Sequence, residues 1–254
     1  MTVDILAAAL AARDEPCPHT PPSATRRLTV AEAYEAQDRV REALVGRGER
    51  VAGWKAGFTN KAAQDAYRVA EPVCAFLLTS GVLSSGAEIA AARFVRAGVE
   101  AEIAFVMKEQ LAGPGVTPAR AMLAVAGAMP ALELIDVRYR GQALGTDLIA
   151  DGVYAKAIVL GGALTPLAGI DLALEGLLYE LSGAVVGTAT AAEVLGTPLN
   201  SLAWIANHLG GRGLALRAGD VVMSGSVSKI LQPKAGDTVR ATFTRLGSVS
   251  VRFA

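Results

Sequence analysis

The chain has 254 residues, 52% hydrophobic and 19% charged, with Lys plus Arg and Asp plus Glu balanced at 24 each. That length is enough to bury one large core or two smaller ones, and zero net charge argues against a general electrostatic grip on nucleic acid or an anionic membrane. Two isolated cysteines (Cys17 and Cys74), no apolar run long enough to span a bilayer and no secretory leader predict a soluble cytoplasmic protein.

Ile5 to Ala12 follows Asp4 and reads as a short Ala-rich helix. Pro16, Pro18, Pro21 and Pro22 then mark residues 14–28 as an exposed connector. It carries His19, one of only two histidines, so a histidine-based metal site or a serine-type triad has few possible members. Thr29 with Glu32 forms a capping box, and Ala33, Tyr34, Gln37, Val40, Arg41 and Leu44 continue at helical spacing to Gly46. Residues 1–50 are therefore expected to form a small helical N-terminal region.

From Val51 the texture becomes strand-like, with Lys55 bracketed by Gly53 and Gly57. Such glycines admit backbone or a ligand, and a lysine between them can meet a carboxylate or an enolate. On composition alone the commoner reading is a surface lysine on a glycine-weakened strand. A polar helix over Lys61 to Arg68 follows, then Glu71-Pro72 leads through Val73 into an apolar segment where Cys74, with no histidine in reach, reads as a small core residue.

The segment Val99 to Met107 reads as a strand without Gly or Pro. Residues two apart on a strand share a face, so Glu100 and Glu102 lie side by side, with roughly 7 Å between Cα atoms. Ala104 and Val106 continue that face, which implies partial burial of two carboxylates. Protonation, a basic partner or a bound cation would resolve the cost. After a turn at Gly113-Pro114-Gly115, a helix is predicted from the cap Thr117 to about Gly127, then a strand over Pro130 to Asp136 with Glu133 among apolar neighbours. Neither strand carries a basic residue, and three oxygen donors suit Mg²⁺ or Mn²⁺ with positions left for water and substrate.

Gly145 to Gly152 reads as a loop feeding a strand from Tyr154 to Leu160; its Asp151 is either a catalytic acid or base or a turn cap. A hairpin over Leu178 to Gly187 and a helix from Thr197-Pro198 to Gly210 follow, the helix with His208 off its apolar stripe and so solvated. Three strands close the chain, opened by Ala218-Gly219-Asp220, Ala235-Gly236-Asp237 and Leu246-Gly247-Ser248. At Ser224-Gly225-Ser226 freed backbone N–H groups either hold a substrate carboxylate or merely form a turn. Short strands without regular βαβ alternation predict an α+β fold on β layers.

Gly53-Trp54-Lys55-Ala56-Gly57, Glu100-Ala101-Glu102, Pro130-Ala131-Leu132-Glu133-Leu134-Ile135-Asp136, Ile149-Ala150-Asp151, Leu195-Gly196-Thr197-Pro198 and Leu246-Gly247-Ser248, in this order over almost the whole chain, resemble the 2-keto-4-pentenoate hydratase and 2-oxo-3-hexenedioate (4-oxalocrotonate) decarboxylase family of the fumarylacetoacetate hydrolase superfamily. The resemblance implies a β-rich roll or sandwich core over residues 51–254, Mg²⁺ or Mn²⁺ held by Glu100, Glu102 and Glu133, and Lys55 as the active-site lysine. It implies a small-molecule 2-oxo acid substrate from aromatic meta-cleavage catabolism and a homo-oligomer, with a related pathway lyase as the candidate partner for a complex. We expect Lys55 and Asp151 to be catalytic, and Ser224, Gly225 and Val73 to meet the substrate. Val73 stands where the family's hydratases commonly carry Asp, and Gly152 where Asn is usual, which bears on the substrate more than on the metal. Hydration of 2-hydroxypenta-2,4-dienoate is put ahead of decarboxylation of 2-oxo-3-hexenedioate; the reading of another class is a non-catalytic partner subunit of a related lyase.

Overall fold

The computed structural model describes residues 5–254; Asp4 lies outside them. The chain opens with helices α1 (Ile5–Asp14) and α2 (Val30–Gly46). Thr29 and Glu32 cap α2 reciprocally, as their spacing predicts. The proline-rich connector is not uniformly exposed: Pro21 and Pro22 are buried, and Ser23 donates its N–H and its hydroxyl to Asp147 at 2.8 and 2.5 Å.

Strand β1 (Val51–Gly57), helix α3 (Lys61–Tyr67), strands β2 (Val73–Leu78), β3 (Val82–Ser84), β4 (Ala87–Ile89) and β5 (Ala97–Met107) follow. Helix α4 (Pro118–Leu123), strand β6 (Val125–Asp136), helix α5 (Gly145–Asp151) and strand β7 (Ala155–Leu160) continue the chain. Strands β8 (Gly176–Leu181) and β9 (Ala184–Thr190), helix α6 (Pro198–Gly211) and strands β10 (Val221–Ser226), β11 (Thr238–Phe243) and β12 (Gly247–Phe253) complete it.

Two mixed sheets result. The larger runs β2-β1-β10-β5-β6-β7-β3 and the smaller β4-β12-β11-β8-β9. Alternation along the central strands assigns each face. Trp54 and Ala56 of β1, Val99, Ala101, Ile103 and Phe105 of β5, and Leu132 and Leu134 of β6 enter one core with Val239, Phe243, Val249, Val251 and Phe253 of the smaller sheet. Each large side chain in that layer contributes about 1.5–3 kcal/mol of burial. The intervening residues, Lys55, Glu100, Glu102 and Glu133, are thereby turned to the opposite face, away from the smaller sheet. This is the β-rich core on α+β lines that the sequence predicts.

Three local expectations are corrected. Helix α4 stops at Leu123 and β6 starts at Val125, so Pro130 lies within a strand. Its carbonyl accepts from Gly161 N–H at 2.8 Å just past the end of β7, so its missing donor falls where that ladder has ended. Residues 145–151 are helix α5, not loop; buried Asp147 accepts the N–H of Leu144 at 2.8 Å and so caps the turn that Gly and Asp disguise. His208 is half-buried, with its ring stacked on Trp204 at 4.9 Å between centroids and tilted against Tyr34 at 4.6 Å. Among the described residues no helix is long and apolar enough to cross a membrane.

Candidate active site

Strand register assembles the site. Glu100 of β5 stands opposite Glu133 of β6, and Glu102 opposite Ser226 of β10. Carboxylate oxygens of the three glutamates converge within 4.8 Å of one another. β1 runs parallel to β10, which sets Lys55 beside Met223 on the same face. Gly53 makes that approach possible, since a Cβ there would fall 1.8 Å from the carbonyl oxygen of Val221. The surface-lysine reading is overturned: Lys55 is 2% exposed, with Nζ 2.9 Å from Glu133 Oε2 and donating to the Val153 carbonyl at 3.3 Å.

The register of β10 slips between Met223 and Ser226. In this bulge Gly225 takes φ +108° and directs its N–H to Glu102 Oε2 at 2.8 Å. The N–H assigned to substrate is therefore engaged in holding a carboxylate. Ser224 is fully buried in the strand, and Ser226 stands on the cavity wall in its place. Sequence spacing pointed to this stretch but missed the bulge that exchanges the two serines.

A cavity of about 120 Å³ opens on this face. Lys55, Glu100 and Glu102 form its charged side, Asn60, Ser226 and Tyr154 are polar members of its wall, and Ile135, Leu148 and Ile230 lie among its apolar members. Val73 does not line it: its buried side chain joins Tyr34, Ala75, Ile149 and Val153 in an apolar cluster, and Val153 forms the wall there. Asp151 is also apart from the glutamates. It is fully buried, 3.5 Å from Arg138 Nη1, and accepts the N–H of Tyr154 at 3.2 Å, while Arg13 donates to its backbone carbonyl at 2.8 Å. Arg13 Nη2 fills the space into which a side chain at Gly152 would project. Cys74 is in the core as expected, its thiol pushed up to about 12 by burial.

Electrostatics bind these groups into one unit. Burial, then Glu133, raises Glu100 to about 7; burial, then Glu133 and Glu100, raises Glu102 well above the carboxylate range. Burial also raises Glu133 against the pull of Lys55. Burial alone would lower Lys55, but attraction to Glu133, Glu100 and Glu102 reverses this and raises it, so the ammonium persists. Both Glu133 oxygens are buried without a well-aligned hydrogen bond. A buried carboxylate whose one close donor is the Lys55 ammonium, beside two further carboxylates, is the oxygen set that a hard divalent cation satisfies.

Residues 41–254 match the fumarylacetoacetate (FAA) hydrolase C-terminal family. The chain belongs to that family. Among curated members it is 33% identical to a 2-hydroxyhexa-2,4-dienoate hydratase of Comamonas testosteroni over 89% of this chain and 87% of the relative. It is equally 33% identical to a 4-oxalocrotonate decarboxylase of Pseudomonas putida, over 89% and 86%. The structure of a 4-oxalocrotonate decarboxylase from Pseudomonas putida G7, complexed with magnesium and adipate, superposes with a TM-score of 0.93 at 30% identity, covering 98% of this chain and 97% of that one. This family, then, holds hydratases and decarboxylases at indistinguishable distance from the chain.

Proposed function

We propose that the protein is a divalent-metal-dependent lyase of 2-oxo and 2-hydroxydienoate acids, and that it hydrates a 2-hydroxypenta-2,4-dienoate-type substrate to the 4-hydroxy-2-oxo acid. The observation that carries this reading is the convergence of Lys55, Glu100 and Glu102 on the wall of one cavity, with Glu133 buried behind them against Lys55. The three glutamates would hold Mg²⁺ or Mn²⁺, since an all-carboxylate set favours such ions over softer metals. When bound, the ion supplies Lewis-acid stabilisation of negative charge growing on the substrate's 2-oxygen.

Lys55 remains protonated beside the glutamates, so it donates a hydrogen bond to that oxygen while the dienol's hydroxyl proton is lost and C5 gains one, giving the 2-oxo acid with a C3=C4 double bond. Water then adds its oxygen at C4 and its hydrogen at C3. Buried Ile135 and Leu148 lower the polarity beside the charged wall, which strengthens each of these interactions. Gly225 orients Glu102 through its N–H, and Val153 orients Lys55 through its carbonyl.

Among the described residues Lys55 is the only cation in the lining, and it is already paired with Glu133. A second carboxylate on the substrate would thus meet apolar or neutral groups at an uncompensated desolvation cost, which favours a monocarboxylate and hence hydration. Decarboxylation of a 2-oxo-3-hexenedioate-type acid is the second reading, supported by likeness to the adipate-bound decarboxylase. A non-catalytic subunit would have no need of a lysine buried against three carboxylates. Incubation of purified protein and Mg²⁺ with each acid, following dienol absorbance and CO₂ release, tests the proposal. Loss of the dienol without CO₂ is expected; CO₂ release selects the second reading, and silence with both acids refutes both.

A further inference from the structure

A second set of ligand-type side chains lies on the segment leaving α1, apart from the cavity. Glu15, Cys17 and His19 alternate with Pro16 and Pro18, and one ligand atom from each falls within 4.8 Å of the others. Cys17 Sγ is 3.5 Å from His19 Nε2 and 3.8 Å from Glu15 Oε2. Tetrahedral zinc, with bonds of about 2.3 Å to sulfur and about 2.0–2.1 Å to nitrogen or oxygen, requires sulfur-to-nitrogen and sulfur-to-oxygen separations of about 3.5–3.6 Å. The two sulfur separations are close to those of donors sharing one centre, and the Glu15 and His19 ligand atoms lie within 4.8 Å of each other.

Ordinary solvation does not explain the convergence. Glu15 and Cys17 are exposed, and what they would give up by turning to water is two weak sulfur contacts, while His19 Nε2 also lies 3.4 Å from the Glu15 carbonyl oxygen. The segment is also fixed from outside. His19 donates its N–H to the Arg138 carbonyl and accepts from Arg140 N–H, both at 2.8 Å, and Arg140 Nε donates to the Pro18 carbonyl at 3.0 Å. Two prolines restrict the backbone between the donors, so little ordering entropy remains to be lost on binding.

We propose that Glu15, Cys17 and His19 form a zinc site of three protein ligands with an open fourth position, fastening the exit of α1 to the Arg138–Arg140 segment. One carboxylate and one thiolate cancel the charge of Zn²⁺, and imidazole completes a mixed set that selects zinc or cobalt over magnesium. It is chemically the opposite of the all-oxygen glutamate cluster, so the two sites sort different metals.

The test is titration of metal-free, reduced protein with Co²⁺. A thiolate-to-cobalt charge-transfer band saturating at one ion per chain is expected, displaced by Zn²⁺, absent in Cys17→Ser and weakened in His19→Ala. It persists in Cys74→Ala, because that thiol is buried in the core, and in Glu102→Gln, which separates this site from the cavity's. Cys17→Ser is expected to leave turnover with Mg²⁺ unchanged. No band in the wild-type protein, or a band that survives Cys17→Ser, overturns the proposal.

Discussion

Replacing Lys55 with Met removes one positive charge from a buried cluster of three carboxylates while preserving much of the side chain's volume. Breaking a buried ion pair from one side costs about 3–5 kcal/mol, and Lys55 lies 2.9 Å from Glu133 with both side chains almost wholly buried. This cluster has a release that an isolated pair lacks, because Glu100 already titrates at about 7 and Glu102 stands well above its ordinary value. Carboxylates raised in the folded state bind more protons there than in the unfolded chain, where they titrate near 4.5. Their contribution is fully present below that unfolded value and is lost as pH rises through the folded one, so the metal-free protein gains stability on acidification. Each additional proton held by the folded state changes stability by about 1.4 kcal/mol per pH unit. One extra proton retained by the variant between pH 8 and pH 6 recovers about 2.7 kcal/mol, so a cost of about 3–5 kcal/mol at pH 8 shrinks to about 0–2 kcal/mol at pH 6. Urea denaturation of metal-free wild type and Lys55→Met at both pH values measures this difference. Equal destabilisation at pH 6 and pH 8 would refute the linkage, and retained turnover in the Mg²⁺-loaded variant would remove Lys55 from the chemistry.

Glu133→Gln withdraws a carboxylate ligand and is expected to lower Mg²⁺ affinity and turnover together; calorimetric titration showing wild-type affinity would refute its role. Gly225→Ala forces a side chain to φ +108° with its Cβ 2.5 Å from Thr59, costing about 1–2 kcal/mol in backbone strain; displacement of the N–H from Glu102 should weaken metal binding about tenfold, the small end of a charged hydrogen bond's worth. Asp151→Asn leaves buried Arg138 without its counter-charge, so stability should fall by about 3–5 kcal/mol, and kcat should drop with Mg²⁺ affinity unchanged, as expected of a positioning residue. Burial, then Arg212, holds His208 down at about 4, so the unfolded chain binds the extra proton below its ordinary value of 6.5. Stability should therefore fall as pH drops from 6.5 towards 4, by about 1–2 kcal/mol after discounting for the ring's partial exposure, and His208→Asn should remove this component from a denaturation series.

The strands were legible because their period was complete: Val99, Ala101, Ile103 and Phe105 on one face force Glu100 and Glu102 onto the other. What a single strand cannot encode is its neighbour. Glu133 meets Glu100 through the β5–β6 register, and Lys55 joins them only because β1 pairs with β10, far along the chain. Local signals misled where tertiary contacts supplied the partner. Gly145, Asp147 and Asp151-Gly152 have turn chemistry, yet Ser23 and the Leu144 N–H engage Asp147 and hold a helix there. Ser224 and Ser226 look alike in sequence, and only the bulge at Gly225 decides which one meets the cavity.

Charge balance makes the strongest link between this face of the sheet and a divalent ion. Three ionised glutamates and one ammonium leave the cluster at −2, and the described structure places no second lysine, arginine or histidine in the cavity lining. Proton uptake offsets part of that charge, which is why Glu100 and Glu102 titrate high without a metal. A divalent cation cancels it entirely while leaving Lys55 charged. Mg²⁺ should therefore displace protons on binding, and its affinity should rise with pH through the region near 7 where Glu100 titrates. Calorimetry in two buffers of different ionisation enthalpy counts those protons directly. Release of none near pH 7 would mean that the carboxylates are already ionised and that Lys55, with the Gly225 N–H, is enough to hold them.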